Sequence, residues 1–201
     1  MKKVDVSFYK RSNVLQIARE LLGKILVTKW NGITTSGRIV EVEAYNGIVD
    51  KAAHSFGGRR TNRNEIMYAD GGVAYIYLCY GIHHLFNVVT NNKDIPQAIL
   101  IRAVEPITGI DEMLKRTGKK KLDNTLTKGP GNVSKALGIS TAHTAHSLRS
   151  TMLSINDDGF RYHDNEIAQS PRIGVDYAAD HALWPYRFYV KGNAYVSGRP
   201  R

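Results

Sequence analysis

The sequence has one cysteine, Cys79, among its 201 residues. A lone thiol excludes an intramolecular disulfide and every Cys-cluster zinc site, and it suits a reducing compartment. No apolar run approaches the roughly 20 residues of a membrane span. The opening MKKVDVSFYK has lysines but lacks the continuous apolar stretch of a secretory leader. These absences predict a soluble, cytoplasmic protein. Acidic residues are the scarcer charge, 18 Asp and Glu against 28 Lys and Arg, for a formal net charge of +10. Such a field suits a polyanionic partner, although solvated charge alone sets only a prior. Internal repeats and linkers are missing too, so the length predicts one domain, residues 1–201, with one sizeable core. No oligomer seam stands out, which leaves a monomer as the expectation.

What is present is mostly strand. Residues 12–24 place Val14, Leu15, Ile17, Ala18, Leu21 and Leu22 on one helical stripe, with Ser12 as N-cap and Gly23 as the stop. GKILVTKW and RIVEVEAY follow as a hairpin around the turn-prone NGITTSG. Further strands are GVAYIYLCY, HLFNVVTN and QAILIRAVEP, and YRFYVKGNAYVSG reads as a closing hairpin around Lys191, Gly192 and Asn193. FGGRRTNRN is a glycine-rich basic loop. A second basic segment, KRTGKKKLDNTLTKGPGN, leads into the short helical pattern VSKALG.

In RIVEVEAY the strand period of two puts Ile39, Glu41, Glu43 and Tyr45 on one face and Val40, Val42 and Ala44 on the core side. Two carboxylates beside a tyrosine are more often a solvated or ion-paired surface than a site. His54 follows nine residues later and adjoins the basic loop, which raises the odds of function. VAYIYLCYGIHHLFN is rich in tyrosine, and β-propensity alone explains that. Flat rings also stack on bases, and Tyr80, before the turn marked by Gly81, is placed to enter a duplex or else to pack locally.

RIVEVEAY, AAHSFGGRRTNRN, YIYLCYGIHHLFNVV, AILIRAVEP, LTKGPGNVSKALGI, and RIGV with RFYVKGNAYVS, occur in order over nearly the whole chain. Together they resemble the alkyladenine (3-methyladenine) DNA glycosylase family. The resemblance implies a mixed α/β single domain: a strongly curved antiparallel sheet, peripheral helices and a protruding hairpin around Tyr80. It implies an enzyme that flips alkylated or deaminated purines, of the 3-methyladenine, 7-methylguanine and hypoxanthine class, out of double-stranded DNA and hydrolyses the N-glycosidic bond. The product is an abasic site, with no strand cleavage, no metal and no organic cofactor, and DNA binding would associate the protein with the nucleoid.

Carried over residue by residue, the resemblance makes Glu43 the base that activates water, with Arg102 and the main-chain carbonyl of Ile173 holding that water. Tyr45 and His54 on one side and Tyr77 on the other become walls for the base. Asn87 obstructs the exocyclic amine of guanine, and Tyr80 intercalates through the minor groove. Gly129 and Pro130 open a helix near the DNA backbone, where Pro also suits the first helical position for structural reasons. Arg59, Arg60, Arg63 and the lysines of residues 115–121 are candidate phosphate contacts. Glu41 reads as a structural ion pair. Two other classes stay open: a metal-dependent nuclease using Glu41, Glu43, Asp50 and His54, and a non-catalytic binder of RNA or single strands.

Overall fold

A computed structural model of the chain describes residues 1–198. Strand β1 (Lys2–Lys3) and helix α1 (Val6–Tyr9) lead into helix α2 (Val14–Leu21). Asn13, not Ser12, caps α2: its Oδ1 accepts from the N–H groups of Leu15 and Gln16 at 3.1 Å each. A cap works only from the position directly before the first turn, and Ser12 stands one residue too early. Gly23 ends the helix as expected, at a φ of +87° that glycine adopts without steric penalty.

Strands β2 (Ile25–Trp30) and β3 (Ile33–Tyr45) form the expected antiparallel pair. The turn between them is only Asn31 and Gly32, with φ of 51° and 80°, and residues 33–37 belong to β3. Both central residues at positive φ keep the right-handed twist of the flanking strands. Strands β4 (Ala74–Cys79) and β5 (His83–Thr90) make a second hairpin, and β6 (Gln97–Thr108) adds to β5. Helix α3 (Ile110–Thr117) was not expected, and only its last three residues belong to the basic segment that starts at Lys115. Asp111 and Glu112 in its first turn and Lys115 and Arg116 in its last suit the helix dipole. Helix α4 (Pro130–Leu137) starts with Pro at its first position, after Gly129, as expected. Strands β7 (Leu153–Asp157), β8 (Ile167–Ser170) and β9 (Arg187–Val190) complete the elements.

All strands join one curled antiparallel sheet, ordered β1-β7-β2-β3-β6-β5-β4, with β9 paired to both β3 and β8. The closing hairpin around Lys191, Gly192 and Asn193 is not formed: no strand follows β9 among the described residues, and its partners are β8 and β3. The reason lies in β3. One of its edges pairs with β6, while on the other β2 covers residues 33–38 and β9 covers residues 41–43. The acidic stretch is thus an interior strand, and both Glu41 and Glu43 are fully buried.

Strict alternation fails inside that strand. Ile39 and Val42, three residues apart, both enter the main core, as do Ile101 and Val104 opposite them, whereas Val40 packs with Ala103 and Val190 elsewhere. The β3–β6 register slips at this level, an irregularity of the kind that bends a sheet and re-aims its side chains. The expected places of Ile39 and Val40 are therefore exchanged. Helices α2, α3 and α4 bury the sheet face carrying Ile39, Val42, Ile76, Phe86, Val88 and Ile99. The other face is left for Glu43, Tyr45, Tyr75, Tyr77, Asn87 and Arg102.

Candidate active site

The face away from the helices opens into a cleft of about 730 Å³ lined by Tyr45, His54, Arg59, Arg63, Tyr77, Tyr80, Arg102, Pro130 and Ile173, with others. Such a volume is usual for a small-ligand site. Behind it lies an inner chamber of about 30 Å³ bounded by Tyr45, His54, Tyr75, Tyr77 and Asn87. That is room for about one water.

Glu43 sits beneath the cleft floor, fully buried. Its Oε1 accepts from the Ile173 N–H at 2.7 Å and stands 3.2 Å from Arg102 Nη1, and its Oε2 accepts from the Tyr45 hydroxyl at 3.0 Å. Two hydrogen bonds and the Arg102 ion pair hold the carboxylate, whose roughly four lone-pair positions leave acceptor capacity for a further donor. The groups that cover Glu43, namely Tyr45, Arg102 and Ile173, all line the cleft. Of Ile173, it is the amide that meets the carboxylate.

Glu41 is the structural ion pair that its sequence context suggested. Its Oε1 accepts from Arg102 Nε at 3.0 Å, Arg187 Nε at 2.7 Å and Ser197 Oγ at 3.0 Å, and its Oε2 accepts from the Ser197 N–H at 2.6 Å. A buried carboxylate needs such a full set of partners. Arg102 thus bridges Glu41 and Glu43. Asp50 is equally committed: Arg172 donates to both of its oxygens, at 2.5 and 2.9 Å, and the Asn46 and Ala52 amides donate at 3.0 Å. With Glu41 and Asp50 saturated by arginines and amides, the donor set imagined for a nuclease metal does not assemble around Glu43 and His54. Among the described residues no three His, Cys, Asp or Glu side chains converge on one point.

His54 Nδ1 and the Tyr75 hydroxyl are 2.8 Å apart. Burial, and then the charges of Arg63 and Arg59, push the imidazole down to about 4. Burial likewise pushes the Tyr75 phenol up to about 12. His54 is therefore a neutral ring near pH 7. It meets Tyr77 edge to face, with centroids 4.6 Å apart and planes at 76°. A base stacked between two rings needs their planes about 7 Å apart, twice a van der Waals contact. His54 and Tyr77 leave no such gap between their own rings in the free protein, while Tyr45, the remaining expected wall, lines the same cleft. Asn87 forms the chamber floor, its Nδ2 donating to the carbonyls of Tyr75 at 3.2 Å and Leu85 at 3.1 Å. Those two acceptors fix which way the amide points.

At the tip of the β4–β5 hairpin, Tyr80 and Gly81 have φ of 51° and 73°, and the Ile82 N–H donates to the Cys79 carbonyl at 3.1 Å. Tyr80 is 90% exposed, which rules out the core-packing alternative. Arg59 and Arg63 face the cleft, the Arg63 guanidinium lying 5.5 Å from the Tyr77 ring centre. Arg60 does not join them. It is held by Glu65 at 2.6 Å and Asp94 at 2.8 Å and covers the Tyr68 ring. In the free protein its guanidinium is engaged by these two exposed carboxylates, and Arg60 is not among the residues lining the cleft. Residues 115–121 belong to the end of α3 and the turn after it, outside the cleft lining. Pro130, at the start of α4, does line it.

Three site residues escaped the sequence reading. Arg172 clamps Asp50, donates to the Ala44 carbonyl at 2.9 Å and lies over the Tyr45 ring at 4.8 Å, so it fixes the segment that presents the Ile173 amide. Its place directly before Ile173 in RIGV was the available signal. Arg187 completes the Glu41 network from β9. Tyr177 lines both the cleft and the inner chamber.

Residues 7–194 match the profile of a family described as Methylpurine-DNA glycosylase (MPG). A Chlamydia abortus protein is 48% identical over 185 residues, 92% of this chain and 96% of its own. A Bacillus cereus protein is 47% identical over 199 residues, covering 95% and 97%. A Clostridium perfringens protein is 41% identical over 198 residues, covering 94% and 96%. All three carry the name "Putative 3-methyladenine DNA glycosylase". No helix among the described residues is long and apolar enough to cross a membrane. Matched over nearly its full length, with a buried Glu43 beneath an aromatic cleft, the chain belongs to the methylpurine-DNA glycosylase family.

Proposed function

We propose that this protein removes damaged purines from double-stranded DNA by hydrolysing the N-glycosidic bond of a flipped nucleotide. The substrate class is that of 3-methyladenine, 7-methylguanine and hypoxanthine. A base inside a duplex does not expose its sugar C1′ to a positioned water, so it must leave the stack, at a cost smallest for damaged or mispaired bases. The observation that carries the reading is Glu43, a buried carboxylate held by two hydrogen bonds and the Arg102 ion pair, with acceptor capacity left, beneath residues that line the cleft.

In this reading Glu43 accepts a proton from water and stabilises the positive charge that develops on the sugar. Arg102 and the Ile173 carbonyl hold the water. Alkylation at N3 or N7 makes the purine cationic, so it gains attraction to the faces of Tyr45 and Tyr77 and departs without a second carboxyl acid, whereas a neutral base such as hypoxanthine has to take a proton from a donor other than Glu43 as it leaves. A neutral His54 contributes stacking surface rather than a proton. Tyr77 must swing from His54 to admit the base, and Asn87 then screens its edge. Tyr80 fills the gap left in the duplex, while Arg59, Arg63 and the start of α4 at Gly129 and Pro130 meet the backbone. The chemistry uses a carboxylate and water, calls for no cofactor and assigns no lysine nucleophile, so the protein acts as a monofunctional glycosylase; a monomer on nucleoid DNA is its default assembly.

The test is single-turnover excision by Glu43→Gln on duplexes carrying one lesion, read for both free base and strand breaks. Base release should fall by at least about a thousandfold, some 4 kcal/mol in barrier, while lesion binding persists. Excision within about tenfold of wild type would sink the assignment of Glu43. Strand breaks accompanying base release would show a lyase instead.

A further inference from the structure

This inference rests on the function just proposed. A flipped base needs a surface to stack on, and in the free protein His54 and Tyr77 are in contact while the inner chamber holds about 30 Å³. The open volume lies outside that pair. One more aromatic ring stands on the boundary between the two spaces: Tyr177 lines both the cleft and the chamber, yet it is 70% exposed. Its hydroxyl donates to the Ala52 carbonyl at 3.0 Å. The ring is thus tethered at its far end, and much of its surface remains open to water.

The backbone around it is firmly anchored. Ala178 is fully buried against Ala52 and Val175, and Ala179 is held at φ 52° and ψ −127°, a conformation that L residues rarely adopt. Arg172 Nη2 donates to the His181 carbonyl at 3.2 Å, and the Lys51 N–H donates to His181 Nδ1 at 3.1 Å. Local strain persists only where surrounding structure over-determines it, and here it lies two residues from an exposed aromatic ring that lines the cleft.

We propose that Tyr177 is a substrate-binding residue whose ring stacks on the outward face of the flipped purine and closes the cleft over it. Its partner is the base itself rather than the phosphate backbone, because the one polar atom of the side chain is already committed to Ala52. Tyr177→Leu removes the ring, and Tyr177→Phe keeps it while cutting the tether.

Each protein would be titrated against two otherwise identical duplexes, one carrying 7-methylguanine or hypoxanthine and one carrying a tetrahydrofuran abasic analogue, which has no base to stack. For Tyr177→Leu, half-saturation in single-turnover excision should weaken about tenfold or more, the loss expected of one base–aromatic stack. Its affinity for the abasic analogue should stay within about twofold of wild type, and Tyr177→Phe should stay within about threefold on both duplexes. Equal weakening on the two duplexes would overturn the proposal in favour of a backbone contact. So would an unchanged Tyr177→Leu, or a Tyr177→Phe as impaired as Leu. Failure of the wild type to release free base would instead reject the glycosylase reading, and this inference with it.

Discussion

His54 shows how one side chain reports its surroundings. Burial first, then Arg63 and Arg59, hold the imidazole at about 4 against an ordinary value of 6.5. A depressed histidine means that the native state binds fewer protons than the unfolded chain between those two values. Its contribution is fully favourable above pH 6.5 and is lost at about 1.4 kcal/mol per pH unit as pH falls toward about 4. His54→Gln should flatten that part of the acid limb, seen as a smaller shift in urea midpoint between about pH 7.5 and about pH 5. An unchanged acid limb would show that another group sets it. Asp50 and Arg172 are coupled differently, through a pair with both side chains fully buried. Asp50→Ala leaves the guanidinium without its partner and should cost about 3–5 kcal/mol in chemical denaturation. Because Arg172 also sets the segment before Ile173, excision should fall further than the lost folded population explains. A loss below about 1 kcal/mol would mean that water replaces the carboxylate.

Among the elements, the β4–β5 hairpin carries a residue that its own geometry disfavours. Tyr80 holds φ of 51° and is 90% exposed, so it contributes little packing to offset a left-handed backbone. Tyr80→Gly relieves that strain and adds unfolded-state freedom, two effects of about 1 kcal/mol with opposite sign, so Tm should barely move. Excision should drop strongly for hypoxanthine opposite thymine and little for the same lesion in a bulge, where less stacking must be broken. A marked fall in Tm would reveal a structural ring, and undiminished excision from the paired duplex would eliminate the wedge. Strand β3 makes the complementary point, since its acidic stretch is buried by the arrival of β9 from over 140 residues away.

At the scale of the whole molecule, a formal charge of +10 is shared between residues aimed at the cleft and residues neutralised elsewhere. Affinity for duplex DNA should fall linearly with salt on a log–log plot, each phosphate contact adding about 0.9 to the slope. Arg59→Ala and Arg63→Ala should each lower the slope by about that amount, on damaged and undamaged duplexes alike. Arg60→Ala is the internal control, since its guanidinium is taken by Glu65 and Asp94. A lower slope for Arg60→Ala as well would mean that DNA recruits Arg60 from its carboxylates.

The strands β2 to β6 in chain order, the capping glycine at Gly23, the Pro130 helix start and the turn at Gly81 were legible because each depends on neighbours within a few residues. Periodicity, turn chemistry and capping are local, and a local signal survives in the linear chain. The closing hairpin and the phase of Ile39 and Val40 misled for the converse reason, since a vacant strand edge and an irregular register between distant strands decided them. Ser12 was a misplacement by one residue within a local signal, because Asn13 stands directly before the first turn. The aromatic residues and Glu43 were visible as ordered motifs, but their burial, the Arg102 bridge, the Asp50–Arg172 clamp and the contact of His54 with Tyr77 were not. Those depend on side chains brought together from β3, β4, β6, β9 and the loops between them, and only tertiary packing sets the distances on which charge, hydrogen bonding and room for a base depend.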